Sequence, residues 1–379
     1  MVWRPGVKNR KKIEIKMKIL HVLYSGLGGH GNVFFSMVSA DKKKEFEYEA
    51  LFNGVEEVRE EYKERCTKYN ITWNVIKKKP GLDISYYIQL YKKIKSSKAD
   101  YIFLHGGNAI IPARLAKLFS NSIKIILVRE TQANHLKTKA DWIRLSLCMM
   151  FAGKMVYLSD EYKSQVKNTL KWLFRTKYTL VIPNGIDLDI FNPAAKKDNS
   201  SIVLGMQSRL IDIKDHTTLL KAFALLNSKA FNLPLKLYLA GDGACKDELI
   251  NTAERLGITN NTYFLGMIDE KDVVNFLNSL DIYIHASLGE TMSTAIMQAM
   301  ACGKPVVASD VAGINNMIEN NVNGLLVPVK NEIKLAAVLE ELIINLDEGE
   351  RLGKAALLFA ENNFSNLTMF ERYKQAFLS

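Results

Sequence analysis

The sequence predicts an α/β protein built as two domains in series, each a doubly wound parallel sheet, with a cleft between them. Three observations predict it. Thirteen short, apolar, β-rich runs recur along the chain. Most are separated by stretches with apolar positions at helical spacing, such as HTTLLKAFALLNS and EKDVVNFLNSL. One break in this rhythm, IPNGIDLDIFNPAAKKDNSS (182–201), concentrates Pro, Gly, Asn and Ser and divides the runs into seven and six. Continuous apolar strands alternating with helices are buried on both faces, which is the condition of a parallel sheet. Ligands of such sheets sit at the carboxyl ends of the strands, here facing the cleft.

In the first half, KILHVLY runs into YSGLGGHGNVFF, where Gly26, Gly28, Gly29 and Gly31 precede a helix. Glycines there permit a tight turn and close approach of backbone N–H groups to an anion or a sugar. The pattern is not a complete GxGxxG, so a structural turn and a ligand loop both stand open. FEYEALF and ITWNVI follow, then YIFLHGG, which ends on His105 at the cleft, and KIILVRE, which ends on Arg129 and Glu130. IRLSLCMMFAGKMVYL (143–158) is interrupted by Arg144, Gly153 and Lys154 and is too short to span a bilayer; it reads as a core helix running into a strand. TLVIPNG leads into the break.

In the second half, SIVLGM is followed by QSRLIDIKDHTTLL, which places Arg209 and Lys214 in the loop after the strand. Arg can grip a diphosphate by a bidentate fork and Lys as a point charge, although solvated loop cations are the simpler reading of the pair alone. LKLYLAG and TYFLGM, with Gly266, come next. DIYIHAS leads directly to GETMSTAIMQAMACGKPVV (289–307), with Glu290 ahead of a helix whose apolar face is Met292, Ala295, Ile296, Ala299 and Met300. Ser293 or Thr294 can cap that helix, and its free N–H groups form an anion site. Glu290 is expected at the cleft rim, with Gln298 further along the helix. The expected domains are a basic extension (1–16), a first domain (17–182), a linker (183–200), a second domain (201–360) and a last helix (361–379).

Composition bounds the partners. The 379 residues are 48% hydrophobic and 24% charged, an ordinary globular balance with net charge +11. The charge is uneven: 34 of 51 Lys and Arg but only 18 of 40 Asp and Glu lie in residues 1–194. No zinc-ligand pattern, basic zipper or aromatic RNA-binding motif accompanies it, so nucleic acid is not an expected partner and an anionic membrane surface is. Four separated cysteines without a CxxC argue against a zinc site or a disulfide framework. MVWRPGVKNRKKIEIK has no apolar core and does not read as a signal peptide.

RLIDIK, LAGDGACKDEL, FLGMI, HASLGETMSTAIMQAMACGKPVVASDVAGINNMIENNVNGLLVP and the linker IPNGID together resemble glycosyltransferase family 4, the retaining nucleotide-sugar transferases of the GT-B fold. The likeness is dense from about residue 179 onward and looser before it, resting there on MKILHVLYSGLGG and the order of strands. The resemblance implies an acceptor-binding first domain, a nucleotide-sugar-binding second domain, and a last helix, FSNLTMFERYKQAFL, crossing back onto the first. It implies donor-diphosphate binding by Arg209 and Lys214, with Gly29, Gly266, Thr291, Ser293 and Thr294 around the donor. Glu290 becomes the first acid of the E-x7-E motif, contacting the transferred sugar. The second acid, which holds the nucleotide ribose in relatives, is here Gln298.

A second departure lies in LVRETQANHLK (127–137), where relatives carry a histidine facing the donor sugar and this chain has Arg129 and Glu130. His105 and Glu130 are therefore the candidate catalytic side chains of the first domain, beside Glu290. The Asp187-Leu188-Asp189 spacing imitates a metal-binding DxD pair but sits in the linker, so no metal and no cofactor beyond the nucleotide-sugar co-substrate is expected. The expected reaction is retaining transfer of a sugar from a nucleoside diphosphate, with UDP the expected nucleotide, to a hydroxyl of a lipid-linked or saccharide acceptor. Its expected setting is bacterial surface polysaccharide synthesis at the cytoplasmic face of the membrane. A non-hydrolysing nucleotide-sugar epimerase, an inactive sugar-nucleotide-binding relative and a two-domain sugar-binding protein are the open alternatives.

Overall fold

The computed structural model describes residues 16–26, 29–132, 137–195 and 200–379. Residues 1–15 of the basic extension, Gly28, residues 133–136 of the LVRETQANHLK segment and 196–199 of the linker lie outside the described residues.

Each apolar run of the sequence is a strand. The first domain comprises β1 (Met17–Tyr24), α1 (Gly29–Ala40), β2 (Phe46–Gly54), α2 (Glu60–Lys68), β3 (Thr72–Lys77), α3 (Ile84–Ser96), β4 (Tyr101–His105), α4 (Ile110–Leu118), β5 (Ile125–Arg129), α5 (Lys139–Phe151), β6 (Lys154–Tyr157), α6 (Asp160–Thr169) and β7 (Thr179–Val181). The second comprises β8 (Ile202–Gln207), α7 (His216–Asn227), β9 (Leu235–Ala240), α8 (Lys246–Arg255), β10 (Thr262–Gly266), α9 (Glu270–Ser279), β11 (Ile282–His285), α10 (Thr294–Ala301), β12 (Val306–Ser309), β13 (Leu325–Val327) and α11 (Glu332–Ile344). Two further helices, α12 (Leu346–Asn363) and α13 (Asn366–Leu378), end the chain.

The strands order as β3-β2-β1-β4-β5-β6-β7 and β10-β9-β8-β11-β12-β13, and the paired strands run parallel. This is the doubly wound arrangement of the GT-B fold, with a helix layer on each face of each sheet. In the first domain α3 to α6 pack on one face and α1, α2 and α13 on the other. Strand order reverses between β1 and β4 in one sheet and between β8 and β11 in the other, and the crevices at these reversals are where such sheets bind ligands. All five residues of β4 are buried, as expected for a central strand covered on both sides.

The chain crosses between the domains twice, and the crossings are bonded to each other. Ile186 N–H donates to Phe364 O (2.8 Å) and Asn366 N–H donates to Ile186 O (2.9 Å). The Asn366 amide then reaches Ser36 O and Ser39 Oγ of the first domain. α12 packs on α10, whereas α13 lies on α1 and buries Tyr373 and Phe377 against Phe103. The last helix thus belongs to the first domain's core. Asp187 and Asp189, the DxD look-alike, face Ser39 (3.3 Å) and Lys42 (2.8 Å) across this junction. All four cysteines are free thiols.

Candidate functional site

The loops after β8, β9 and β11 and the start of α10 surround a cavity of about 280 Å³, closed on its other side by Asn32 and Arg59 of the first domain. Arg209, Lys214, Glu290, Ser293, Thr294 and Gln298 all line it. The sequence folds this way for local reasons. Gly241 adopts φ +142°, and a Cβ there would lie 1.8 Å from Ser208 O, so only glycine lets the two loops approach so closely. Asp215 caps α7, accepting from Thr218 N–H, and turns the chain just after Lys214. Ser293 caps α10, accepting from Ile296 N–H (3.4 Å), and leaves that helix's N-terminus directed at the cavity.

At the cavity floor is a network that neither the sequence pattern nor the resemblance supplies. Lys214 Nζ forms an ion pair with Glu290 Oε1. His285, the last residue of β11, lies with Nε2 2.8 Å from the same carboxylate oxygen, and its Nδ1 is 3.2 Å from Tyr283 OH. A carboxylate only accepts, so His285 carries its proton on Nε2 and donates to Glu290. Burial holds His285 below its ordinary pKa, and the neighbouring Lys214 charge lowers it further, so the ring is neutral at pH 7. Burial opposes ionisation of Glu290, but the His285 hydrogen bond and the Lys214 charge outweigh it and bring its pKa down to about 2. Glu290 lines the cavity with its side chain 13% exposed, its carboxylate held between Lys214 and His285.

Gln298 is buried on α10 and lines the same cavity. Arg209 lies close enough to the first domain for its charge to act on Tyr24. Thr291 donates from Oγ1 to Thr131 O across the cleft (2.6 Å), so it joins the domains beside Glu290. Gly266 ends β10 with φ +68° and accepts from Gly241 N–H (2.7 Å), supporting a cavity loop from behind. Gly29 begins α1, three residues before Asn32.

His105 and Glu130 line a second cavity, of about 210 Å³, within the first domain, together with His30, Asn53, Thr131 and Arg144. Thr131 of this cavity accepts from Thr291, which stands in sequence between Glu290 and Met292 of the first cavity. Glu130 is held by Lys137 (3.2 Å) and by Tyr162 OH, which donates to it (3.0 Å). His105 stacks on Phe103 and its Nε2 is 3.0 Å from His21 Nδ1. Burial pushes both His21 and His30 down to about 3 and lowers His105 as well, so the three rings are neutral. His105 Nδ1 is buried and has no partner among the described residues. Arg129 lines neither cavity: it donates to Asn184 Oδ1 of the linker, and its Nη1 lies 3.5 Å from Nδ1 of His30, directly behind the first-domain cavity.

Sequence reasoning missed His285, His30 and Tyr283. The signal for His285 was of the kind that singled out His105: a histidine ending a strand at the cleft, here five residues before Glu290.

Residues 189–358 match the family described as glycosyl transferases group 1. Among similar proteins is the UDP-Gal:alpha-D-GlcNAc-diphosphoundecaprenol alpha-1,3-galactosyltransferase of Escherichia coli, 23% identical over 70% of this chain and 72% of that one. The alpha-monoglucosyldiacylglycerol synthase of Streptococcus pneumoniae is 30% identical over 52% of this chain, and the match spans less than half (47%) of that synthase. In three dimensions the chain is similar to Anabaena HepE solved with UDP and glucose, with a TM-score of 0.81, 21% identity, and coverage of 96% of this chain and 100% of that one.

Proposed function

We propose that this chain, whose residues 189–358 match the glycosyl transferases group 1 family, moves a sugar from a UDP-sugar to a hydroxyl of a lipid-linked or saccharide acceptor, with retention at the anomeric carbon. The observation that carries the reading is the Lys214–Glu290–His285 network on the floor of a cavity that Arg209 and the α10 N-terminus also line. Anionic and cationic groups meet there in a partly desolvated site, which suits a donor with a sugar at one end and a diphosphate at the other. The Escherichia coli relative is named for a UDP-galactose donor and a diphosphoundecaprenol-linked acceptor, and HepE was solved with UDP; both support the choice of UDP, and the first supports a lipid-linked acceptor.

The bond between the anomeric carbon and the diphosphate oxygen breaks while the acceptor oxygen bonds to the same face of that carbon. The acceptor proton passes to the departing phosphate oxygen. A carboxylate with a pKa of about 2 is a poor base and is already engaged by two donors, so Glu290 does not take this proton. Its negative charge instead stabilises the positive charge that grows on the sugar. Arg209, Lys214 and the N-terminus of α10 receive the charge on the leaving diphosphate. Same-face attack gives a product with retained configuration at that carbon. The acceptor enters from the first-domain cavity, past His105 and Glu130. The setting is surface polysaccharide assembly at the cytoplasmic face of a bacterial membrane.

With the diphosphate charge met by side chains and a helix, and with Asp187 and Asp189 engaged by Ser39 and Lys42, transfer needs no divalent ion. The test is UDP release from a panel of UDP-sugars with lipid-linked acceptors in excess chelator. The expected result is acceptor-dependent release with an α-linked product, undiminished by the chelator. Absence of release with every donor overturns the proposal, and loss restored by manganese or magnesium overturns the metal-free reading.

Gln298 gives a further expectation. An amide offers one neutral carbonyl where a carboxylate offers two charged acceptors, a difference of roughly 1 kcal/mol per hydrogen bond. Gln298→Glu is expected to tighten UDP binding several-fold in calorimetry and to change kcat little. Weaker UDP binding by this variant would show that the Gln298 side chain does not face the ribose.

A further inference from the structure

The α3 and α4 helices carry exposed apolar surface that nothing in the chain covers among the described residues. On α4 and the residue that follows it, Ile111, Leu115, Leu118 (61% exposed) and Phe119 (65%) stand at i, i+4, i+7 and i+8, a single helical stripe turned to solvent. On the neighbouring α3, Ile84 (66%) and Ile88 are exposed one turn apart, and Leu82 (86%) precedes them. The two stripes meet at Lys95, whose ammonium lies 5.8 Å from the ring centres of both Tyr91 and Phe119. The opposite faces of both helices are core: Tyr86, Leu90, Ile94, Ala113 and Ala116 are buried against the sheet. The helices therefore have one apolar face for the fold and a second for which folding has no use.

The charge around the stripe is predominantly positive. Residues 82–128 contain seven Lys or Arg and two carboxylates: Asp100, paired with Lys124 (2.9 Å), and Asp83, which caps α3 by accepting from Tyr86 N–H (3.0 Å). Lys92, Lys95 and Lys98 lie exposed on and just beyond α3. Interfaces with proteins are poor in lysine at their centres, because the ammonium must be stripped of water. A bilayer surface sets no such requirement: lysine stems lie along the apolar layer, and the ammonium groups reach lipid phosphates. No helix among the described residues is long and apolar enough to cross a membrane, so contact through this face would be peripheral.

We propose that the α3–α4 face seats the protein on an anionic bilayer, with Leu82, Ile84, Ile111, Leu115, Leu118 and Phe119 entering the headgroup layer and the surrounding lysines on lipid phosphates. The face begins at the mouth of the first-domain cavity: Gly107, Asn108 and Ala109 line that cavity and lead directly into α4, and Ile111 stands in its first turn. An amphiphilic acceptor held in the membrane would present its headgroup to His105 and Glu130 with its chains still in the lipid. The surface stands on its own observations; only its use in delivering an acceptor rests on the proposed transfer.

The test is sedimentation of the full chain with phosphatidylcholine vesicles containing about one third phosphatidylglycerol, against pure phosphatidylcholine, at low and physiological salt. The wild type is expected to sediment with the anionic vesicles, less at higher salt but still measurably. Leu118→Ser with Phe119→Ser is expected to lower partitioning by about tenfold at both salts. Lys92→Glu with Lys95→Glu is expected to lower it mainly at low salt. UDP binding measured on the same preparations should be unchanged in both variants, which shows them folded. Several outcomes overturn the proposal: no vesicle binding by the wild type, equal binding to neutral vesicles, full binding by the Leu118/Phe119 variant, or a soluble dimer in place of vesicle binding that this variant dissolves. Vesicle binding by a wild type that ignores every UDP-sugar would sink the transferase reading and leave the membrane face intact.

Discussion

Glu290→Gln is expected to lower the rate of sugar transfer by roughly 10²-fold or more while leaving UDP affinity within a few-fold. The carboxylate sits on the cavity floor with Lys214 and His285 on the same oxygen. Removing its charge removes stabilisation that is strongest when the sugar carries positive charge, so the loss falls on kcat and not on nucleotide binding. Single-turnover transfer and calorimetry with UDP make the comparison. A variant that transfers at the wild-type rate would remove Glu290 from the reaction.

The same substitution has a pH signature in stability. The folded-state pKa of Glu290 is depressed from 4.5 to about 2, so its contribution is complete above about pH 5 and is lost as pH falls toward 2. The displacement corresponds to on the order of 3 kcal/mol. Urea unfolding of wild type and Glu290→Gln from pH 7 to pH 3 should show a stability gap that is constant down to about pH 5 and narrows below it. A gap that widens on acidification would mean the ion pair is not formed in solution.

Gly185→Ala is expected to impair transfer by ten- to a hundredfold without touching either cavity. A Cβ on Gly185 would lie 2.7 Å from Asn366 Cα, 2.8 Å from Ser365 O and 2.9 Å from Asn366 N. These are backbone atoms of the returning crossing, held by two hydrogen bonds to Ile186, and they cannot rotate aside. The crossings must separate, at a cost of about 1–3 kcal/mol. Because Asn366 also anchors to Ser36 and Ser39, the shift is passed to the angle between the domains. A misplacement of about 1 Å between donor and acceptor is enough for losses of this size. UDP affinity should change much less, since most of its cavity belongs to the second domain alone. Wild-type transfer by this variant would show that the paired crossings do not set the domain angle.

Much of this protein is written locally. The apolar runs and helical spacings are short-range patterns, and local sterics with burial on both faces are enough to turn them into β1 to β13 and the helices between. The break at 182–201 is equally local, because Pro, Gly and Asn interrupt both periods at once. Arg209, Lys214, Glu290, Ser293 and Thr294 could be singled out together because they lie in the segments that follow β8 and β11, and parallel strands bring those ends to one edge; Gln298, inside α10, stood out only through the E-x7-E motif of the resemblance.

What could not be read is pairing at a distance. Lys214 meets Glu290 across 76 residues and His285 joins them only because β8 and β11 are neighbours in the sheet, which depends on strand order and not on any residue's own neighbourhood. The same holds for His105: its sequence places it at a strand end, but its stacking on Phe103 and its approach to His21 follow from β1 and β4 lying side by side. Whether an ionisable side chain is a free reagent or an engaged partner is decided by which strands become neighbours, and tertiary packing alone decides that.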